Sequence, residues 1–387
     1  MRILNKFQLV LVLSLFYSCS GFIQENIQVN DKDGETIGVQ PKTYAIKENT
    51  TMDNTLESIK AQETFKRLCE WLCEQQKEEK FSGISFQDEK AARGLLAGYE
   101  IFGDKKYLEA AMAWGEAMIN EQRQDGCYRM GYGIKESDQE ECYVADGGET
   151  CTGMIALYSY AEGEVRKRLR ESVDNYMKFR GSFRNKNNGI GIGWTFIDYL
   201  AKPFVKKDKI FREMRHMPFT IGCTLASAAA YTAITQDPRD IEWAIKDARR
   251  LMNEVETMVG GAFVESLCWT HYYLKDEPLR AEIEIYMKEK WLPNVTNSKS
   301  DWWLEHGGRM VLGLDSLTYY YESVEKDPKV LATIIQATAA LCAPNLPASL
   351  AAIMTQSSLT DDQWRYLCFA AASIGDVIQP NVSLRNF

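Results

Sequence analysis

The sequence predicts an all-α fold in which helical hairpins close into a ring. Two observations carry this: helices of two alternating classes, and an almost complete lack of period-2 alternation. One class is apolar nearly all round and rich in small residues, and the other keeps one wet face, as an inner and an outer layer require. Leu56, Ile59, Phe65, Leu68 and Leu72 recur near the helical period, so segment 55–79 is an amphipathic helix. Segment 88–102 is rich in Ala and Gly and stops at Gly103-Asp104, and the charged, amphipathic KKYLEAAMAWGEAMINEQ follows at once.

The same unit recurs. It pairs 147–160 with 163–180, 220–235 with 239–257 across QDP, and 262–274 with 277–290 across KDEP. It returns at 305–323 with 328–341 across EKDP. The remaining helices, 55–79 and 361–375, complete a sixth pair by bringing the chain ends together. The Gly-rich NGIGIGW, 188–194, reads as a loop or at best a stub of strand.

These hairpins, with phrases such as GDKKYLEAAMAWGEAM, resemble the six-hairpin (α/α)6 toroids, the scaffold of many glycoside hydrolases and polysaccharide lyases. The resemblance covers nearly everything after residue 54. It implies a toroid over 55–387 and a substrate site at the mouth where the inner helices begin.

Composition narrows the rest. The chain has 387 residues, 45% hydrophobic and 26% charged, enough for one large core. A net charge of −9 argues against a general nucleic-acid binder. Arg2 and Lys6, the apolar run from Phe7 to Tyr17, and Ser18-Cys19 resemble the signal and lipobox of a bacterial lipoprotein. The expectation is an exported chain, with a leader over 1–19, a lipid anchor at Cys19 in the periplasm or outer membrane, and a polar tether over 20–54. Most of the ten cysteines sit in apolar helical runs, and Cys127 with Cys142 is the one pair placed for a disulfide. Three histidines, without Cys/His pairs at ligand spacing, make no case for zinc, and no cofactor is implied. The sequence also lacks the DDxxD-type motif that terpene chemistry on helical rings uses.

The long connections, Glu121 to Asp146, Gly181 to Phe219, Trp291 to Glu305 and Cys342 to Thr360, all lead into inner helices. They carry Arg129, Tyr132, Trp194, Arg215, His216, Trp302, Trp303 and Arg309, candidates for binding substrate. Flat aromatic faces suit sugar rings and Arg forks suit carboxylates, which points to an oligo- or polysaccharide with acidic groups. The catalytic candidates are Asp146, Glu149, Glu305, His306 and Tyr143. In YVADGGETCTGMIALYSY, Asp146 stands where an N-cap belongs and Glu149 follows three residues on. Two readings stay open there: a capping box, or a carboxylate pair for acid/base chemistry. Gly147-Gly148 favours the second, by letting a substrate approach the backbone. The expected reaction is glycoside hydrolysis. The alternatives are a lyase using Tyr or His with Arg neutralising a uronate, and a noncatalytic glycan-binding lipoprotein.

Overall fold

The computed structural model describes residues 56–76, 81–129, 139–185, 189–190, 192–198, 205–212, 218–254, 261–296, 313–343, 349–382 and 384. The expected leader and tether lie outside them.

Among the described residues, twelve long helices alternate between two layers. The inner ones are α2 (Ser85–Phe102), α4 (Val144–Tyr158), α6 (Pro218–Thr235), α8 (Gly261–Tyr273), α11 (Gly313–Ser323) and α14 (Asp361–Ile378). The outer ones are α1 (Leu56–Gln75), α3 (Lys105–Glu121), α5 (Gly163–Gly181), α7 (Pro238–Glu254), α9 (Glu277–Tyr286) and α12 (Pro328–Leu341). A π-turn, Met287–Trp291, joins α9 to the short α10 (Leu292–Thr296), and α13 (Leu350–Met354) precedes α14. None of the described helices is long and apolar enough to cross a membrane.

Each inner helix touches the next, α2 to α4, α6, α8, α11 and α14, and α14 returns to α2. Small residues close that last contact. A Cβ added to Gly94 would stand 2.5 Å from the Ala371 Cβ, and one added to Gly375 would stand 2.6 Å from that of Ala97. Because 94 faces 371 and 97 faces 375, the first and last inner helices run parallel. The outer α1 packs on α14, α2 and α12, so the first and last described helices meet as expected.

The short inner-to-outer turns explain the recurring Asp. Asp104 accepts a hydrogen bond from the Lys106 amide (3.1 Å), Asp237 from Arg239 (2.9 Å), Asp276 from Leu279 (2.8 Å) and Asp327 from Lys329 (2.8 Å). Each carboxylate satisfies an orphan amide of the next outer helix. In the last three, a proline lies within the first two helical positions, where its missing N–H costs nothing. Gly103 ends α2 at φ 73°, a left-handed conformation that glycine adopts without strain.

Strands correct the reading of 181–219 as a loop. β1 (Gln139–Tyr143), β4 (Ile192–Asp198) and β5 (Val205–Arg212) form an antiparallel sheet in the order β1-β4-β5. β2 (Arg184–Asn185) pairs with β3 (Gly189–Ile190), so NGIGIGW supplies β3 and the start of β4. The pairing of Gln139 with Asp198 is far apart in sequence, and such partners rather than local alternation stabilise the sheet.

Candidate active site

β1 runs directly into α4. Tyr143 is extended at φ −109°, ψ 140°, and serves as N-cap without a side-chain cap. The helix therefore starts at Val144, which makes Asp146 its third residue and Glu149 its sixth. The capping-box reading fails for that reason, since both carboxyls sit inside the helix. Residues three apart share one helix face, so the two are neighbours.

All of α4 is buried, and burial sets the chemistry of this pair. Asp146 is 3% exposed and Glu149 is fully enclosed. The Cys223 thiol is the hydrogen-bonding group beside the Glu149 carboxyl. Burial, and then the charge of Asp146, push the Glu149 carboxyl well above its ordinary range, while the nearby Cys223 thiol and Lys90 oppose this only in part. Burial thus favours the neutral form of Glu149, against the preference of helix N-termini for carboxylates. The glycines between the pair have a packing role. A Cβ on Gly147 would meet the Tyr176 ring at 2.7 Å and one on Gly148 the Cys223 carbonyl at 2.6 Å. Their lack of a side chain admits an outer-helix aromatic and the backbone of α6, not a substrate.

Hydrogen bonds tie the neighbouring connection to this mouth. The Ser85 hydroxyl donates to the Arg129 carbonyl (2.7 Å), and Thr150 Oγ1 lies 3.1 Å from Ser85 Oγ. The Arg129 guanidinium is held by the Glu121 carbonyl (2.8 Å) and carboxylate (3.1 Å) at the end of α3. Tyr143 is directly opposite Trp194 in the β1-β4 register. The structure therefore gathers Tyr143, Asp146, Glu149, Arg129 and the Trp194 backbone around the start of α4. Tyr132, Arg215, His216, Trp302, Trp303, Glu305, His306 and Arg309 lie outside the described residues.

Beneath the pair, the ring is filled by charge that the sequence reading passed over. Lys90 Nζ lies 2.7 Å from Glu89 and 3.5 Å from Glu265, and Arg93 lies 3.2 Å from Glu265 and 3.8 Å from Glu89. All four side chains are at most 2% exposed. Burial works against the Arg93 charge, but Glu89, Glu265, Asp376 and Asp315 outweigh it and raise its pKa. Burial and then Asp315 raise Glu265 well above its ordinary range. Burial and then Asp376 push Asp315 up to about 6. Glu265, Asp315 and Asp376 line a cavity with about 10 Å³ of space for water centres, room for one water. The available signal was EKAAR, a run of charges on a helix with no wet face to carry them. Among the described residues, no group of three or more His, Cys, Asp or Glu has the geometry to hold a metal ion.

No protein-family model and no curated protein matches the chain. Solved structures do. A GH76 α-mannanase of Bacteroides thetaiotaomicron is similar at 13% identity and a TM-score of 0.55, over 84% of this chain and 97% of that one. A family 76 glycoside hydrolase from a bovine strain of the same species is similar at 9% identity and a TM-score of 0.51, over 76% and 69%. At such identities the likeness concerns architecture, and it agrees with the helical ring described above: the chain has the (α/α)6 toroid fold.

Proposed function

We propose that this protein hydrolyses glycosidic bonds of an oligo- or polysaccharide, with Asp146 and Glu149 as the carboxylate pair. The observation that carries the reading is the enclosed Glu149 carboxyl, raised chiefly by burial, three residues from Asp146 on one helix face. Hydrolysis of this kind needs one carboxyl that arrives protonated and another that works ionised. Glu149, enclosed and with its carboxyl raised by burial, is the proton donor. Asp146, one turn nearer the positive end of α4, is the base or nucleophile. A carboxyl raised by burial beside a second carboxyl on the same helix face suits the acid of such a division.

The structural neighbours support the substrate class, since both are named as glycoside hydrolases and one as an α-mannanase. Mannans therefore join the acidic glycans suggested by the aromatic and arginine residues of the connections. In this reading the enzyme works outside the cytoplasm, tethered by lipid at Cys19. Membrane retention of a Cys19→Ala protein after mild washing would count against the tether.

The test is turnover on a panel of mannans and uronic-acid polysaccharides, followed by reducing-end release. Asp146→Asn and Glu149→Gln should each lower kcat by about 10²- to 10⁴-fold, the usual worth of a positioned acid or base. Full turnover in both variants rejects the assignment. A product absorbing as an unsaturated uronide would instead establish elimination, and glycan affinity without any product would establish a binding protein.

A further inference from the structure

Two thiols meet at the entrance to α4, and nothing in the proposed chemistry uses them. Cys127 lies in the connection that leaves α3, and Cys142 is the penultimate residue of β1, four residues before Asp146. Both are free and fully buried. Cys127 Sγ lies 3.4 Å from the Tyr128 carbonyl oxygen and Cys142 Sγ lies 3.3 Å from the same atom. The two thiols thus share one acceptor and lie close enough to couple. This sets them apart from Cys69 and Cys73, whose thiols donate to different carbonyls.

We propose that Cys127 and Cys142 form a redox pair that closes into a disulfide under oxidising conditions and clamps β1 to the connection after α3. The step is thiol–disulfide exchange with a small-molecule or protein disulfide as oxidant. One thiolate attacks the oxidant and expels one of its thiols. The second cysteine, having lost its proton, then attacks the mixed disulfide and expels the other. Two S–H bonds are lost, one S–S bond forms, and the two electrons reside on the oxidant's thiols.

Burial dictates when this happens. It raises the Cys127 thiol well above its ordinary pKa and keeps oxidants out, so the folded dithiol reacts slowly. Exchange occurs while the chain is still folding, and the finished bond is then shielded from reductants. The consequence for the site is mechanical. Cys142 lies opposite Thr195 in the sheet, and the chain from Cys142 passes through Tyr143 into the first turn of α4. A cross-link at Cys142 restrains the strand that aims Asp146. The loop it closes is about 15 residues long, a size for which cross-linking the unfolded chain is expected to raise Tm by on the order of 4 °C in a domain this large.

The test unfolds the full chain, refolds it with glutathione disulfide as the oxidant, and alkylates it without reduction. Peptide mapping by mass spectrometry then reads each cysteine, with circular dichroism confirming recovery of helix. The expected result is one cross-linked peptide pair, Cys127 with Cys142, two hydrogens lighter than the separate thiols. It should be absent from the Cys127→Ala/Cys142→Ala variant, and reduction should lower Tm by a few degrees in the parent alone. Protein folded under reducing conditions and then exposed to the same oxidant should keep both thiols. Alkylation of both cysteines after oxidative refolding overturns the proposal, as does pairing of either one with another cysteine. Because the readout is a covalent bond, it is independent of whether a glycan is cleaved.

Discussion

Replacing Glu149 with glutamine separates the energetic cost of its burial from its use in catalysis. The carboxyl is enclosed and is held well above its ordinary range, chiefly by burial and then by Asp146, with the Cys223 thiol opposing in part. In the folded protein it keeps its proton at pH values where the unfolded chain has released it. Unfolding therefore releases a proton, and rising pH favours the unfolded state. This contribution is fully present below the unfolded pKa and is lost as pH climbs towards the folded one. Within that window the loss is about 1.4 kcal/mol per pH unit. Glutamine has nearly the same shape and never ionises, so Glu149→Gln should lack this component. Urea unfolding at a series of pH values above the unfolded carboxylate range should show the variant gaining on the parent as pH rises, by at most about 1.4 kcal/mol per unit. Parallel pH profiles would refute the account of a neutral, buried acid. A gain in stability together with a large loss of kcat would mark the exchange of stability for function expected at an active site.

Three further outcomes test the ring and its charged centre. Arg93→Met leaves Glu89 and Glu265 with Lys90 as their remaining cation and should cost about 3–5 kcal/mol in urea unfolding. Asp315 is pushed up to about 6 by burial and then by Asp376, so its stabilising contribution is lost as pH rises from 3.8 to about 6. Asp315→Asn should then gain up to about 3 kcal/mol relative to the parent across that interval, offset by a weaker hydrogen bond from the Ser316 amide. Gly94→Ala places a Cβ 2.5 Å from that of Ala371 and 2.7 Å from its carbonyl carbon. Overpacking should outweigh the higher helix propensity of alanine and cost about 1–3 kcal/mol, and Ala371→Gly should return part of it. An unchanged urea midpoint would mean that the ends of the ring are not closed as described.

What was legible in the sequence follows from local rules. Residues near in sequence determine hydrophobic period, turn chemistry and capping, so the alternation of helices and the Asp-Pro turns could be read directly. The same rules pointed to Tyr143–Tyr160 as the organising segment, and they placed its helix start three residues late. An Asp at an N-cap and an Asp at the third helical position look alike until β1 is seen to enter the helix at Val144. Gly147 and Gly148 were open to two uses, and only Tyr176 and Cys223, both distant in sequence, decide between them.

By itself, the sequence determined the helical class, the pairing of greasy with wet helices and the closure of the ring through the chain ends. Tertiary structure alone decided which charges share the interior. Glu89, Lys90, Arg93, Glu265 and Asp315 come from three different inner helices, and their protonation depends on distances that no local pattern encodes. The same holds for the β1–β4 pairing, which spans more than fifty residues. The physical reason is that helices are stabilised by contacts within one turn. Burial, electrostatic coupling and strand pairing arise only when distant segments meet.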